Sequence, residues 1–538
     1  MNPILLTLLA GLLLAGPFSA GAQDDVRPVH YRKSIDDLTP AELEAFKHAV
    51  AELKSKSQLN VYDRSGYLWQ SWVHDCPAVQ VNQTRAAPLS AQDLQQVLAN
   101  PNRNSCDVRG FLDFGPGIDT RFHPEHPGEC EHQKNTFLQW HRAQLYYFEQ
   151  ALRASDPDGQ RGPSTRDVAL PYWNFTRKPS GVRYPQAFED PDSPLFDATR
   201  IRARLPSAMA TASPYLLAYQ IYYMDWPEFG GDEYGSNGGG ALETRIHNHM
   251  HAFYIGGNMA DNATAGMDPL FYAFHNFLDY SLEKWLDEHG DAGITGDGRS
   301  AQMRAQQDNK LPKPIGWSAG SAGTLPAADS YTPHMGQADL YFDTIKQGYG
   351  YQPPYGGEFI RRNAIQRLID AHQGAGFVFG DNQKSLFAAL LSDDAADGPV
   401  GQPSITVGSK YAIPTATGTT KRYLRLQRKA DAPDYSFQAD VYLHPGQPRI
   451  ADKTFRDRYL VSSTSHWGLS GHGHGGALCI AIEVNGIINS LVPTHHGAAW
   501  HLTAAVTTNE RGAGQISKAD FELPVISANG CAPVPHQH

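Results

Sequence analysis

Histidines gather in two short stretches of the chain at spacings that a metal ion could use. In Leu242-Glu243-Thr244-Arg245-Ile246-His247-Asn248-His249-Met250-His251, His247 and His251 stand four apart and share one face of a helix. His249 is rotated by about 200° from His247 and points away, as a supporting or surface residue. Zinc peptidases use the same spacing but need Glu directly after the first histidine as general base, and here that position is Asn248. In the earlier stretch, Cys130-Glu131-His132 leads into Phe137-Leu138-Gln139-Trp140-His141-Arg142. Residues nine apart on one ideal helix lie about 900° apart, on opposite faces, so His132 and His141 cannot both face one ion from a single regular helix. The geometry works if His141 rides a helix beginning near Phe137 and His132 lies in an irregular segment before it. Cys130 is close enough to hold that segment in place.

The full strings carry more than the spacings do. His132-x(4)-Phe137-Leu138-x-Trp140-His141-Arg142-x(2)-Leu145-x(3)-Glu149 resembles, position for position, the first copper-site signature of tyrosinases, polyphenol oxidases and mollusc-type hemocyanins. Asp268-Pro269-x-Phe271-Tyr272-x(2)-His275-x(3)-Asp279 resembles their second. The resemblance implies a type 3 centre of two copper ions, one held by His74, His132 and His141 and the other by His247, His251 and His275. His74 is assigned from Tyr67-Leu68-Trp69-Gln70-Ser71-Trp72-Val73-His74, with His123 and His126 as rivals inside the long interval before His132. Neutral imidazoles suit copper, and the absence of a carboxylate ligand leaves positions open for dioxygen.

By the same resemblance the chain ortho-hydroxylates monophenols and oxidises o-diphenols to o-quinones. A phenol has a pKa near 10, so it must lose a proton before it can bind copper. In tyrosinases a Glu shortly before the first histidine of the second site and an Asn directly after it hold a water that acts as base, which points to Glu243 and Asn248. Phe271 corresponds to a residue that gates or floors the pocket, and Ala252 leaves the entrance uncrowded. Asp279, one turn beyond His275, orients a ligand, anchors a cation or is a surface carboxylate. The resemblance also implies a thioether from Cys130 to His132. That leaves Cys76 with Cys106 and Cys479 with Cys531, two disulfides in an oxidising compartment.

The elements that must position these residues are partly legible. Phe137, His141, Leu145, Phe148 and Leu152 recur at three and four, as do apolar residues from Phe271 to Leu286, and both runs predict helices. Between Gly290 and Tyr355 the text is rich in Gly, Ala, Ser and Pro and predicts little regular structure. Residues 392–403 read as a linker. Beyond it Tyr423–Leu426, Ala439–Leu443, Ile480–Val484 and Leu502–Thr507 alternate like strands. The expected fold is mainly α: a four-helix-bundle-type dicopper catalytic domain with long loops, then a C-terminal β-sandwich-like domain. The divisions are 1–22 a signal peptide, 23–395 the catalytic domain, and 404–538 a β-rich domain that in relatives can push a side chain over the coppers. Sequence alone does not name that side chain. His472, His474, His495 and His496 read as solvated loop residues rather than handlers of incoming copper.

The chain has 538 residues and a formal net charge of −11. Such a length exceeds what one core usually organises, which agrees with two domains. No Lys or Arg run is dense enough for nucleic acid or an anionic membrane, so neither is expected as a partner. The partners are a phenolic small molecule and dioxygen, and self-association into a homo-oligomer stays open. The apolar leader ending in Ala20-Gly21-Ala22 reads as an export signal, to periplasm or outside, against an N-terminal anchor. Three Asn-x-Ser/Thr sequons, at Asn82, Asn174 and Asn262, get little weight as glycan sites because Asn174 sits in apolar Leu-Pro-Tyr-Trp-Asn-Phe. The alternatives are a catechol oxidase without monophenolase activity, an aminophenol oxidase, and, from another class, a hemocyanin-like dioxygen carrier.

Overall fold

The computed structural model describes residues 30–59, 65–72, 74, 132, 137–177, 184–201, 213–231, 239–295, 348–351, 358–372, 405–420, 422–429, 432, 435–452, 455, 459–467, 479–508 and 516–528. The leader, His123, His126, Cys76, Cys106, Cys130, Cys531, Asn82, His472 and His474 lie outside them.

Two helices form the centre of the N-terminal part. Helix α3 (Phe137–Arg153) and helix α5 (Leu270–Thr295) are packed on nearly all sides, so their apolar residues recur more densely than a single stripe. They meet through Phe148 and Tyr272, whose rings stack in parallel, and through His141 and His275, stacked at 4.4 Å. Helices α1 (Pro40–Leu59) and α2 (Tyr67–Trp72) pack beside them, and Ser57 Oγ accepts from the Leu68 amide at 2.9 Å to seat the start of α2. Helix α4 (Pro214–Tyr223) begins at Ser213, whose hydroxyl caps it, and it packs on α5 and on α6 (Arg362–His372). Asp268 starts α5: its carboxylate accepts from the Leu270 amide at 2.8 Å and takes a forked bond from Arg200.

Two three-residue strands, β1 (His30–Arg32) and β2 (Tyr349–Tyr351), pair in parallel and clasp the start of this body to its far end. The clasp carries Arg32 into the interior. There it donates to Glu149 at 2.8 Å, Asn276 at 2.9 Å and Asp279 at 3.3 Å, beneath the ring of Tyr349 at 3.7 Å. Arg142 reaches the other oxygen of Asp279. Asp279 is therefore a buried anchor for two cations, one turn below His275. The quiet stretch predicted from Gly290 to Tyr355 is shorter than expected at both ends, because α5 runs to Thr295 and β2 occupies Tyr349–Tyr351.

The C-terminal part is β-rich. A four-stranded antiparallel sheet has the order β3 (Ile405–Ala412), β8 (Ala499–Thr508), β5 (Phe437–His444), β6 (Leu460–His466). A three-stranded sheet has the order β7 (Cys479–Glu483), β4 (Tyr423–Gln427), β9 (Val525–Ser527). Both sheets and helix α7 (Asn485–His495) close on one core that includes Val407, Leu424, Phe437, Val441, Ile488 and Leu502. Cys479 is half of a disulfide, and its expected partner Cys531 is outside the described residues. Asn174 and Asn262 are buried, and Asn174 donates to Glu358, so neither can carry a glycan in this fold. Among the described residues no helix is long and apolar enough to cross a membrane.

Candidate metal centre

His74, His132 and His141 bring one ring nitrogen each to within 4.8 Å of one another, and so do His247, His251 and His275. The first triad draws on three places: the turn after α2, His132, and His141 near the start of α3. His132 is outside any helix, as the angular argument required. The second triad comes from two π-helical turns, Leu242–His247 and Met250–Ile255, and from α5. All six side chains are buried.

Backbone carbonyls set the rings. His74 Nδ1 donates to the Asn262 carbonyl at 3.0 Å, His141 Nδ1 to Phe137 at 2.8 Å and His251 Nδ1 to Met259 at 2.8 Å. A carbonyl only accepts, so each Nδ1 carries the proton and each Nε2 keeps its lone pair. His247 Nδ1 is bonded at 2.8 Å to Asn248 Oδ1 instead. Nε2 of His141 and of His247 has no hydrogen-bond partner, and Nε2 of His251 faces Nε2 of His275 at 3.1 Å. Buried ring nitrogens converging in this way fit a cation. Burial holds His141 and His251 neutral, with pKa values lowered to about 3. Burial and then the neighbouring imidazoles lower His132, His247 and His275 well below the ordinary histidine value. Six imidazoles with no carboxylate among them fit copper.

The π-helical turns change which residues are neighbours. The Asn248 amide donates to the Glu243 carbonyl, five residues back, so the two stand one above the other. On an α-helix they would be roughly 140° apart. Both are buried. Phe271 lies between the triads, 4.7 Å from the ring of His74 and 4.2 Å from that of His275. Ala252 is buried beside His251. His249, on the opposite face, bonds Ser465 Oγ at 3.3 Å and stacks on Phe253.

One residue of the site could not be found from sequence. Strand β6 lies along the first π-helical turn, and Trp467, the residue after it, sits over the histidines. Its indole stacks on His251 at 4.1 Å and 20°, meets His132 at 5.0 Å and His247 at 5.5 Å edge-on, and lies 6.0 Å from His74. Only 1% of it is exposed. A lone Trp before Gly-Leu-Ser-Gly carries no signal in sequence for such a place.

Residues 67–201 and 185–288, the stretch that supplies all six histidines, match the description "Common central domain of tyrosinase". These residues carry a tyrosinase central domain. Among its relatives, a tyrosinase of Hahella sp. (strain CCB-MM4) is 29% identical over 289 residues, covering 48% of this chain and 54% of that protein. The (+)-larreatricin hydroxylase of Larrea tridentata is 28% identical over 190 residues, covering 30% of this chain and 31% of that protein. The chain thus spans between about a third and a half of the length of these curated relatives. In fold it is similar to latent apple tyrosinase, with a TM-score of 0.50 at 16% identity, over 90% of this chain and 95% of that one. Tyrosinases are dicopper proteins, and each triad here fits one copper ion.

Proposed function

We propose that this chain is a copper-dependent phenol oxidase that hydroxylates monophenols ortho to the oxygen and oxidises o-diphenols to o-quinones with dioxygen. It is latent while the β-rich region holds Trp467 in the site. The observation that carries the reading is the indole itself, a flat aromatic ring stacked on His251. A phenol ring offers the same face to the same imidazoles once Trp467 withdraws.

In this reading His74, His132 and His141 hold one copper and His247, His251 and His275 the other, and the bound pair supplies the redox chemistry with dioxygen. The protein supplies the seat and the proton transfer. Glu243 takes the phenolic proton, directly or through a water, at a place where burial strengthens electrostatic interactions. Asn248, one π turn away, orients His247 and holds the water when its amide is free. Phe271 floors the pocket between the triads, and the small side chain of Ala252 leaves room beside His251. The Cys130–His132 thioether and the Cys76–Cys106 and Cys479–Cys531 disulfides belong to the same reading. So do export behind a leader of residues 1–22 and the division into a catalytic part, 23–395, and a covering part, 404–538.

The test is quinone formation from a monophenol and from a catechol, by the copper-loaded chain with two coppers, before and after light protease treatment. Turnover of both, rising on cleavage, is expected. Turnover of catechol alone would remove the role of Glu243, and oxidation confined to aminophenols would move the substrate class. The depth of Trp467 favours one second reading, a dioxygen carrier with a permanently closed pocket. Reversible oxygen uptake without turnover, even after cleavage, would establish it.

A further inference from the structure

The way His247 is oriented differs from the way His74, His141 and His251 are. Those three are fixed by main-chain carbonyls of the helical part. His247 is fixed by the side-chain amide of Asn248, and an amide is ambiguous: turned over, it would offer NH2 where it now offers oxygen. What prevents the turn is strand β6. Asn248 Nδ2 donates to the main-chain carbonyl of Ser465 at 2.9 Å. Since that carbonyl can only accept, the amide nitrogen must face it, and Oδ1 must face His247. Oδ1 in turn demands a proton on His247 Nδ1, which leaves the lone pair on Nε2 for metal.

The geometry points to the Ser465 carbonyl, on the covering strand, as the group that selects the metal-binding tautomer of His247, with Asn248 as the positioning residue that relays it. Docking of the β-rich region and occupancy of the second triad are then linked, each strengthening the other by the same factor. The covering region has two separable actions at the centre. Trp467 excludes the substrate ring, while Ser465 prepares a ligand for metal. The region that closes the site to phenols therefore also readies it for copper. This inference does not depend on which phenol is oxidised, only on the triads holding metal.

Two full-chain variants separate the links. In Asn248→Asp the carboxylate still accepts from His247 Nδ1 without any help from β6, but it faces the Ser465 carbonyl with no donor. In Asn248→Ala neither bond remains. Copper is titrated into the metal-free chains against a competing chelator, and docking is read as the rate at which light protease releases the β-rich region. Thermal unfolding checks that each variant is folded. Loss of an outer hydrogen-bond partner of a metal histidine typically costs about 10- to 100-fold in affinity, and that drop at one of the two coppers is expected for Asn248→Ala. Asn248→Asp is expected to keep native affinity or better, yet to release the β-rich region several-fold faster than the native chain. Native copper affinity in Asn248→Ala, or an equal drop in Asn248→Asp, would overturn the tautomer control. Release of Asn248→Asp at the native rate would overturn the role of Ser465. If Asn248→Ala does not fold, the Asn248→Asp results decide alone.

Discussion

Replacing Trp467 by Ala should convert the latent chain into an active one without cleavage. The side chain is 1% exposed and touches four of the six histidines. Truncating a buried Trp to Ala removes about 3 to 5 kcal/mol, and the parallel contact with His251 belongs to the kind of aromatic pairing worth about 0.5 to 1.5 kcal/mol beyond area. Part of the loss falls on local packing rather than docking. If about 3 kcal/mol is taken from the docked arrangement, the open population rises roughly 100-fold, since each 1.4 kcal/mol is a factor of ten. Removal of the ring also clears the seat in those molecules that remain docked. The assay is catechol oxidation by the intact, copper-loaded variant, read against native chain before and after protease. The expected result is a rise of about two orders of magnitude, or up to the level of cleaved native chain if that is lower. Trp467→Phe keeps a ring in the seat and should rise far less. A folded Trp467→Ala chain with two coppers and native latency would refute the argument that the indole is what closes the site.

Glu243→Gln should lower monophenol turnover by about 10²- to 10⁴-fold, as loss of a general base does, and leave catechol oxidation by protease-activated chain within about tenfold; equal losses on both substrates would count against a proton-accepting role. Arg32→Met strands the buried Glu149 and Asp279 facing a thioether, which should cost about 3 to 5 kcal/mol in chemical denaturation. Burial alone would raise the Glu149 pKa, but the Arg32 and Arg153 guanidiniums outweigh it and lower it. The stabilisation is therefore present above the ordinary carboxylate range and fades as pH falls through it, so the gap between variant and native chain should narrow in acid, and a constant gap would contradict it. The metal-free chain should lose stability below about pH 6.5, because the unfolded histidines take up protons there. In the fold, burial holds His141, His249 and His251 down to about 3. Matching urea midpoints at pH 7.5 and pH 5 would contradict that.

The helices of the site were legible because their apolar residues repeat over many turns: α3 starts at Phe137, where the angular argument about His132 and His141 put it. Four strands, β4, β5, β7 and β8, were legible from alternation. Strand β6 was not, since Leu460-Val461-Ser462-Ser463-Thr464-Ser465-His466 is mostly polar yet mostly buried. Its polar groups serve the contact with Asn248 and His249, which no local pattern records. Helix α7 was hidden by Gly486 and Pro493, both helix breakers. The pairing of β1 with β2 joins three-residue segments more than 300 positions apart, too short to show a period and too distant for any local argument. The π-helical turns, which bring Glu243 over Asn248, leave no trace in composition either.

The order of the parts along the chain also sets a timetable for synthesis. All six histidines precede the clasp strand at Tyr349–Tyr351, and Trp467 follows them by about 190 residues. At about 5 to 20 residues per second, a ribosome needs roughly 10 to 40 seconds between finishing His275 and delivering Trp467. Early in that interval a nascent chain owns both triads without the clasp strand, and to its end it lacks the indole that covers them. Newborn chains therefore pass through a stage in which the centre is open to whatever the surroundings hold.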